Sequence, residues 1–377
     1  MGKRLLKEIS NITYGYAFDS KRFSLDSSAG LPVIRIRDLK QGKSNTYTDE
    51  QCDDKYHIYN GDLLIGMDGE FNIVEWHGGH ALLNQRVCKI ESCTDELLQS
   101  FLSYSLSGEL KHIESQTSYV TVKHLSAKVL NNITLSLPSL IEQRNIINVL
   151  TTVNNEITLA KQMLAKADEL IQSRFVEMFE QDKQIKHVRL DHISLVGSSH
   201  RVFKSEILTS GVPFYRGSEI SSLSRGDSAS ASLFISYEHY EELISQSGKP
   251  EIGDLLLPSI CDKGQIWRVN TNDPFYFKDG RVLWIRPDKT IVNSEYLKRA
   301  ICSVLYKDFI KLTSGTTFAE LKIFILKGIE VPLPPLALQN EFAEFVAQVE
   351  SLKATTRQQL DRLNTLYDSL AQRYFAE

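Results

Sequence analysis

The sequence predicts an α+β protein in which one α/β unit occurs twice and two long helices form an antiparallel coiled coil. Three observations support this prediction. Five segments recur in the same order, two stretches of about 40 residues contain neither Gly nor Pro, and both stretches carry a heptad pattern of apolar residues. The 377 residues are also enough for two domains of ordinary size.

The duplication is visible in short strand-like segments and in the Gly-x-Pro and Leu-Pro sequences that accompany them. GLPVIRIRDL at 30–39 matches GVPFYRGSEI at 211–220, and in both a Gly-x-Pro leads into a short strand. Four further pairs follow in order: YNGDLLIGMDGEF with EIGDLLLPSICDKG, NQRVCKI with DGRVLWI, QTSYVTVKHL with LTSGTTFAEL, and ITLSLPSLIEQRNI with IEVPLPPLALQNEF. The two copies are therefore expected to be related by a pseudo-two-fold axis.

The two long helices are predicted from apolar residues at alternating steps of four and three. The first seam comprises Ile146, Leu150, Val153, Ile157, Ala160, Leu164, Ala167 and Ile171, and the second comprises Phe345, Val349, Leu352, Thr356, Gln359, Leu363, Leu366 and Leu370. Each helix would span roughly 60 Å, which is more than one domain needs for its own core. We expect the helices to pair and to separate two α/β domains. A single compact bundle is the alternative.

These patterns divide the chain into four regions. We predict a first α/β domain at 1–136, a central helix at 137–182, a second α/β domain at 183–332 and a C-terminal helix at 333–377. The net charge of −4 is unevenly distributed, because the two helical regions carry −5 and the two α/β domains together +1. No apolar run is long enough for a membrane helix or a secretory signal, so we expect a cytoplasmic protein without a membrane partner.

Catalytic and metal-binding constellations are missing from the sequence. The five cysteines form no C-x-x-C pair, and the two histidines of EWHGGH (75–80) are interpreted as turn residues. No GxxxxGK[ST] motif occurs, and NDPFYF at 272–277 has one proline where an adenine methyltransferase motif requires two. Asp62, Asp68 and Glu70 have no full counterpart in the second copy. We therefore predict a non-catalytic protein without a bound metal.

The chain resembles the DNA-specificity subunits of type I restriction-modification systems along almost its whole length. The resemblance rests on GYAFDSKRF (15–23), the two duplicated strand segments, LPSLIEQRNI, and helices that end in SRFVEMF (173–179) and AQRYF (371–375). It implies that each α/β domain is a target recognition domain that reads half of a split double-stranded DNA sequence. It also implies two methyltransferase subunits that bind S-adenosylmethionine, restriction/translocase subunits that use ATP and Mg, and no cofactor in this chain.

Candidate DNA-binding residues are basic and hydroxyl side chains of the two α/β domains, since arginine reads guanine and cations position phosphates. In the first copy they are Lys21, Arg22, Arg35, Arg37, Lys43, Arg86, Ser118, Tyr119, Thr121 and Lys123; in the second they are Arg201, Lys204, Arg216, Arg225, Lys263, Arg281, Thr316 and Thr317. Some of these residues could instead form ordinary surface ion pairs. The resemblance assigns partner binding to the helix starts, at Leu140, Glu142, Gln143, Arg144, Leu336 and Gln339.

Two other functions remain open at this point. A coiled-coil scaffold would carry the same helices without sequence-specific DNA recognition. A stand-alone adenine methyltransferase would require S-adenosylmethionine to bind this chain.

Overall fold

The computed structural model of the protein describes residues 2–116, 123–181, 184–227, 230–260, 264–312 and 320–375. The chain forms two compact units. Unit 1 comprises Met1–Lys161 with Arg357–Glu377, and unit 2 comprises Gln162–Thr356. Each long helix is thus divided between the units. The domain boundaries at 136/137, 182/183 and 332/333 separate the α/β domains from the helices in the sequence, and they stay a prediction.

Unit 1 contains three small sheets and the helices that cover them. Its strands are β1 (Gly2–Leu5), β2 (Ser10–Tyr14), β3 (Leu31–Ile34), β4 (Tyr47–Thr48), β5 (His57–Ile58), β6 (Leu63–Gly66), β7 (Ile73–Glu75), β8 (Ala81–Leu83), β9 (Val87–Ser92) and β10 (Thr134–Leu137). Its helices are α1 (Leu6–Ile9), α2 (Ile36–Leu39), α3 (Gln99–Gln116), α4 (Ala127–Asn131) and the first part of α5 (Leu140–Phe175). The sheet orders are β2-β9-β6-β7, β4-β3-β8-β5 and β1-β10.

Unit 2 repeats this plan. Its strands are β11 (His187–Arg189), β12 (Ser194–Gly197), β13 (Val212–Tyr215), β14 (Phe234–Ile235), β15 (Leu255–Pro258), β16 (Trp267–Arg268), β17 (Tyr276–Phe277), β18 (Val282–Pro287) and β19 (Glu330–Pro332). Its helices are α6 (Gly217–Arg225), α7 (Tyr237–Ser247), α8 (Ser294–Leu312), α9 (Ile323–Gly328) and the first part of α10 (Leu336–Phe375). The sheet orders are β12-β18-β15-β16, β14-β13-β17 and β11-β19.

The match between the units extends to strand direction. β3 pairs in parallel with β8, and β13 pairs in parallel with β17, in sheets that are otherwise antiparallel. The main difference is α7, which lies in the chain where unit 1 has the short strand β5. The predicted α+β fold, its duplication and its two long helices are therefore confirmed.

The recurring Gly-x-Pro has a steric cause. Gly30 has a φ of 135° and Gly211 a φ of 131°, a region that side chains disfavour. A Cβ atom would lie 2.1 Å from the Thr48 carbonyl oxygen at the first position and 2.3 Å from the Ile235 carbonyl oxygen at the second. Glycine is required at both positions because the neighbouring strand, β4 or β14, passes too close for a side chain.

The seam of α5 follows the predicted heptads. Leu150, Val153, Ile157 and Ala160 are buried in unit 1, and Ala167 and Ile171 are buried in unit 2. In unit 2 the second helix runs antiparallel to the first, because Asp168 binds Lys353 at 2.6 Å whereas Arg174, farther along α5, binds the earlier residue Glu341 at 3.5 Å.

The predicted seam of α10 is partly wrong. Leu352 and Leu366 are exposed, and the buried positions of α10 in unit 2 are Gln339, Phe342, Val346, Val349, Lys353 and Thr356. The Lys353 ammonium is buried beside the carboxylates of Asp168 and Glu350, at 2.6 and 3.0 Å. The apolar pattern assigns Leu352 to this seam position, but the paired Lys353 occupies it.

Within the part of the chain that the structure describes, no helix is both long and apolar enough to cross a membrane.

Candidate nucleic-acid interface

The arginine that follows β3 or β13 is a helix cap in both units. The Asp38 carboxylate accepts from the Arg35 backbone N–H at 3.0 Å and from its Nε at 3.2 Å. In unit 2 Glu219 accepts from the Arg216 backbone N–H at 3.0 Å and from its Nη2 at 2.7 Å. The Arg35 side chain is 23% exposed, and its guanidinium binds the carboxylate at the start of α2. Arg216 makes the same cap for α6 and is more exposed.

The Arg216–Glu219 cap predicts a pH-dependent stability. Partial burial tends to raise the pKa of Glu219, but hydrogen bonds from Arg216 and Ser218 outweigh burial and lower the pKa from 4.5 to about 2. A carboxylate with a lowered pKa stabilises the fold above its unfolded pKa, and this stabilisation is lost as the pH falls through the folded value. We expect Glu219→Gln to lower the free energy of unfolding by about 1–2 kcal/mol at pH 7 and by less at pH 3.

Urea denaturation of both proteins at the two pH values measures this difference. Glu238→Gln, at an exposed position of α7, is the matched control. An equal loss of stability at pH 7 and pH 3 would contradict the assignment.

A second arginine recurs in the turn before β9 or β18. Arg86 Nη1 lies 3.3 Å from the Asp68 carboxylate, and Arg281 Nη1 donates to Glu320 at 3.1 Å. Their side chains remain 55% and 53% exposed. The structure thus places each of these arginines at the same corner of its sheet, held by a carboxylate but open to solvent.

The other predicted DNA-binding residues of unit 1 are mostly at the surface. Lys21, Arg37 and Lys43 are exposed, and Arg22 is exposed while paired with Asp49 at 2.8 Å. Lys123 is largely buried and its ammonium donates to the Glu114 carbonyl oxygen at 2.7 Å. That contact ties the start of the segment before α4 to the end of α3.

In unit 2 the remaining basic candidates lie on loops and a helix end. The Arg201 guanidinium lies over the Phe203 ring at 5.4 Å, and Lys204 is exposed at the start of a short 3-10 turn. Arg225, the last residue of α6, pairs with Asp227 at 3.2 Å. Ser118, Tyr119, Thr121, Lys263, Thr316 and Thr317 lie outside the described residues.

Gln143 and Gln339, which the sequence analysis assigns to partner binding, both have fully buried side chains. The Gln143 amide accepts from the Leu98 backbone N–H at 2.9 Å and donates to the carbonyl oxygens of Glu96 and Pro138 at 2.7 and 2.9 Å. Each glutamine instead fixes the start of a long helix to the preceding domain.

Gln339 repeats that arrangement in unit 2. Its amide accepts from the Asn293 N–H at 2.8 Å and donates to Pro334 and Ile291 at 2.8 and 3.3 Å. Three of the other predicted partner residues also have local roles or partial burial. The Glu142 carboxylate accepts from the Ser139 backbone N–H at 2.9 Å as a capping box, which lowers the pKa of Glu142. Leu140 and Leu336 are half-buried, and Arg144 is exposed.

Sequence analysis missed Asp68 and Glu320 as partners of the recurring arginines. Asp68 was considered only as part of an acidic group, and Glu320 has no acidic counterpart at the matching position, which is His124. The sequence signal that could have identified these pairs is that each copy has a carboxylate in a duplicated segment, Asp68 in the first copy and Glu320 on a different segment in the second. Phe203, which is exposed beneath Arg201, was also missed.

The comparisons with known proteins point to one family. The family model described as the type I restriction modification DNA specificity domain matches residues 1–169 and again 183–365. The EcoBI specificity subunit of a type I restriction enzyme of Escherichia coli is 28% identical over 402 residues, which cover 98% of this chain and 84% of that protein. The MjaVIII specificity subunit of Methanocaldococcus jannaschii is 24% identical and covers 88% of this chain and 82% of its own length.

Solved structures share the fold. The S subunit of a type I restriction-modification system from M. genitalium has a TM-score of 0.60 at 14% identity, covering 100% of this chain and 96% of that one. A chain from a study of assembly and conformational transition of the type I system has a TM-score of 0.57 at 16% identity, covering 99% and 97%. Since the family model matches most of the sequence in two consecutive copies, this protein belongs to the type I restriction-modification DNA specificity family.

Proposed function

We propose that this DNA-recognition subunit reads a bipartite target, one half-site with each unit, separated by bases that the protein does not read. The observation that carries the proposal is that one arrangement occurs twice: the sheets β2-β9-β6-β7 and β12-β18-β15-β16 have matching strand orders, with an arginine paired with a carboxylate at the same corner. One half-site per copy is the simplest use of a duplicated reading surface. The continuous helices α5 and α10 would set the number of unread bases.

Base reading is proposed to fall to a few arginines, and positioning on phosphates to the exposed lysines. Arginine can donate to guanine O6 and N7 together, which makes it suitable for major-groove reading. Lys21, Lys43 and Lys204 are exposed cations that could contact phosphates without sequence preference. The α/β domains together carry a net charge near zero, so the partners would supply much of the phosphate affinity.

The chemistry is proposed to reside in other subunits. Two methyltransferase subunits would bind S-adenosylmethionine and each flip one adenine of the target. Restriction/translocase subunits, using ATP and Mg, would join for cleavage of unmodified DNA. This division of labour would place the protein in the cytoplasm, and it is supported by the sequence, which contains no P-loop and no complete methyltransferase motif.

We further propose that the methyltransferase subunits dock on one exposed face of α5. Apolar side chains on this face are Ile141, Val149 and Leu159 in unit 1 and Met163 and Leu170 in unit 2, each at least 38% exposed. At 3.6 residues per turn they fall within an arc of about 80°, beside the buried seam. Such a stripe favours a protein partner over solvent. We therefore propose that this apolar stripe, and not the buried side chains of Gln143 and Gln339, binds the methyltransferase subunits.

Equilibrium DNA binding by the chain assembled with a methyltransferase subunit tests the function. We expect one duplex sequence to be bound at least about 1,000-fold more tightly than random duplex, with an affinity that falls as salt rises. Removing S-adenosylmethionine-binding residues from the methyltransferase should leave this selectivity in place. Binding that is equally weak for every duplex would favour a coiled-coil scaffold instead.

A further inference from the structure

Arg86 and Arg281 occupy one position in the two copies of the fold. The backbone hydrogen bonds around them match. The Met67 N–H donates to the Arg86 carbonyl oxygen at 3.0 Å, and the Ser259 N–H donates to the Arg281 carbonyl oxygen at 2.9 Å. The segment that follows along the chain is bound in the same way in both units. The Leu125 N–H donates to the Met67 carbonyl oxygen, and the Leu321 N–H donates to the Ser259 carbonyl oxygen, both at 2.7 Å.

The carboxylate that holds the arginine comes from opposite sides of the same β-bridge. In unit 1 the bridge joins Asp68 to His124, and Asp68 binds the arginine. In unit 2 the equivalent bridge joins Ile260 to Glu320, and Glu320 binds the arginine. The same ion pair therefore occurs in both units, but its acidic residue lies on a different segment of the chain in each.

Stability does not explain why the pair occurs in both copies. An ion pair whose arginine is more than half exposed adds little to folding, because water and salt screen it. Nor is it a helix cap like Arg35–Asp38, where the carboxylate is buried and also binds the backbone. What the pair does accomplish is to hold an exposed guanidinium beside a carboxylate, through a hydrogen bond in unit 2 and through an ion pair at 3.3 Å in unit 1.

A fixed guanidinium suits a base better than a phosphate. The carboxylate occupies the Nη1 end, so the remaining N–H groups can face a planar acceptor pair such as guanine O6 and N7. Because the pair is nearly neutral, its attraction to phosphate is weaker than that of a free arginine. In unit 1 His124 Nδ1 lies 2.6 Å from the other Asp68 oxygen, which fixes the carboxylate in turn.

We propose that Asp68 and Glu320 are positioning residues that hold Arg86 and Arg281 for guanine, one in each half-site. The inference rests on the proposed function. It predicts that loss of the carboxylate harms selectivity rather than affinity. The released arginine would bind any nearby phosphate.

The test uses the chain assembled with its methyltransferase subunit and measures affinity for the target and for duplexes with one guanine replaced. We expect Asp68→Asn to reduce discrimination at one base pair of the first half-site roughly 10- to 100-fold. Affinity for random duplex should stay the same or rise, and the slope of log K against log salt should steepen by about one ion. Glu320→Gln should do the same in the second half-site alone.

Two further variants separate positioning from folding. Asp68→Ile combined with His124→Glu transfers the arrangement of unit 2 into unit 1 and should restore discrimination to within about threefold of the original protein. Asp191→Asn, which removes the partly exposed carboxylate paired with Arg189 at 2.7 Å, is the control and should change neither selectivity nor salt slope.

The outcomes are distinct. Unchanged discrimination in Asp68→Asn, or a combined variant that folds with the original melting temperature but stays unselective, would overturn the positioning role while leaving the proposed function intact. An original complex without any sequence preference would overturn the proposed function, and this inference with it.

Discussion

Gln143→Leu is expected to lower the free energy of unfolding by about 4 kcal/mol, since it leaves one backbone N–H and two backbone carbonyl oxygens without their partner, and each such buried or partly buried group costs roughly 1–3 kcal/mol. The leucine has nearly the same volume, so the effect reports hydrogen bonding rather than a cavity. Gln143 binds Leu98, Glu96 and Pro138 and is fully buried. Thermal unfolding should show a decrease in Tm of about 10 °C for a domain of this size.

The neighbouring residue supplies the control. Arg144 is exposed on the same turn, and Arg144→Ala should change stability by no more than about 0.5 kcal/mol. Gln339→Leu should repeat the loss, because Gln339 makes the equivalent bonds in unit 2. A Gln143→Leu protein with unchanged Tm that failed to bind the methyltransferase would instead restore the original assignment of this residue to a partner surface.

Much of the fold could be predicted because its signals are local and repeated. Gly-x-Pro, Leu-Pro and the heptads depend on backbone sterics and helical periodicity, and each occurs twice. The first seam was predicted in the correct phase because its buried positions are apolar. The second was misplaced at Lys353, because a lysine that is buried by pairing with Asp168 has the sequence signature of a surface residue.

The candidate site was harder to predict because it depends on long-range pairing. Arg86 and Arg281 were found from their matching positions, but their acids lie 18 and 39 residues away and on different strands of a bridge. Arg35 and Gln143 depend on contacts that the sequence does not reveal. Only the structure shows that a carboxylate binds the Arg35 guanidinium and that the Gln143 amide binds backbone groups.

Lengthening both long helices is expected to have the largest effect on function. We propose inserting seven residues between Lys161 and Gln162 and seven between Thr356 and Arg357, because each helix passes from one unit to the other at these positions in the sequence. Seven residues keep the heptad phase and add about 10 Å of helix. At 3.4 Å per base pair this should lengthen the unread spacer by about three base pairs and abolish modification of the original target.

A variant of unchanged length serves as the control. Glu156 and Lys161 are exposed on α5, and replacing both with alanine should leave the target unaltered. Both proteins should retain cooperative unfolding and should copurify with the methyltransferase subunit. These properties establish that any change of target arises from helix length.

Sequencing of modified adenines in DNA from cells that contain the chain and its methyltransferase subunit tests the central claim most directly. We predict a split motif for the original protein, and for the lengthened protein the same two half-sites with about three more unread base pairs between them. A continuous motif, or altered half-sites at an unchanged spacing, would contradict the assignment of one half-site to each copy of the fold.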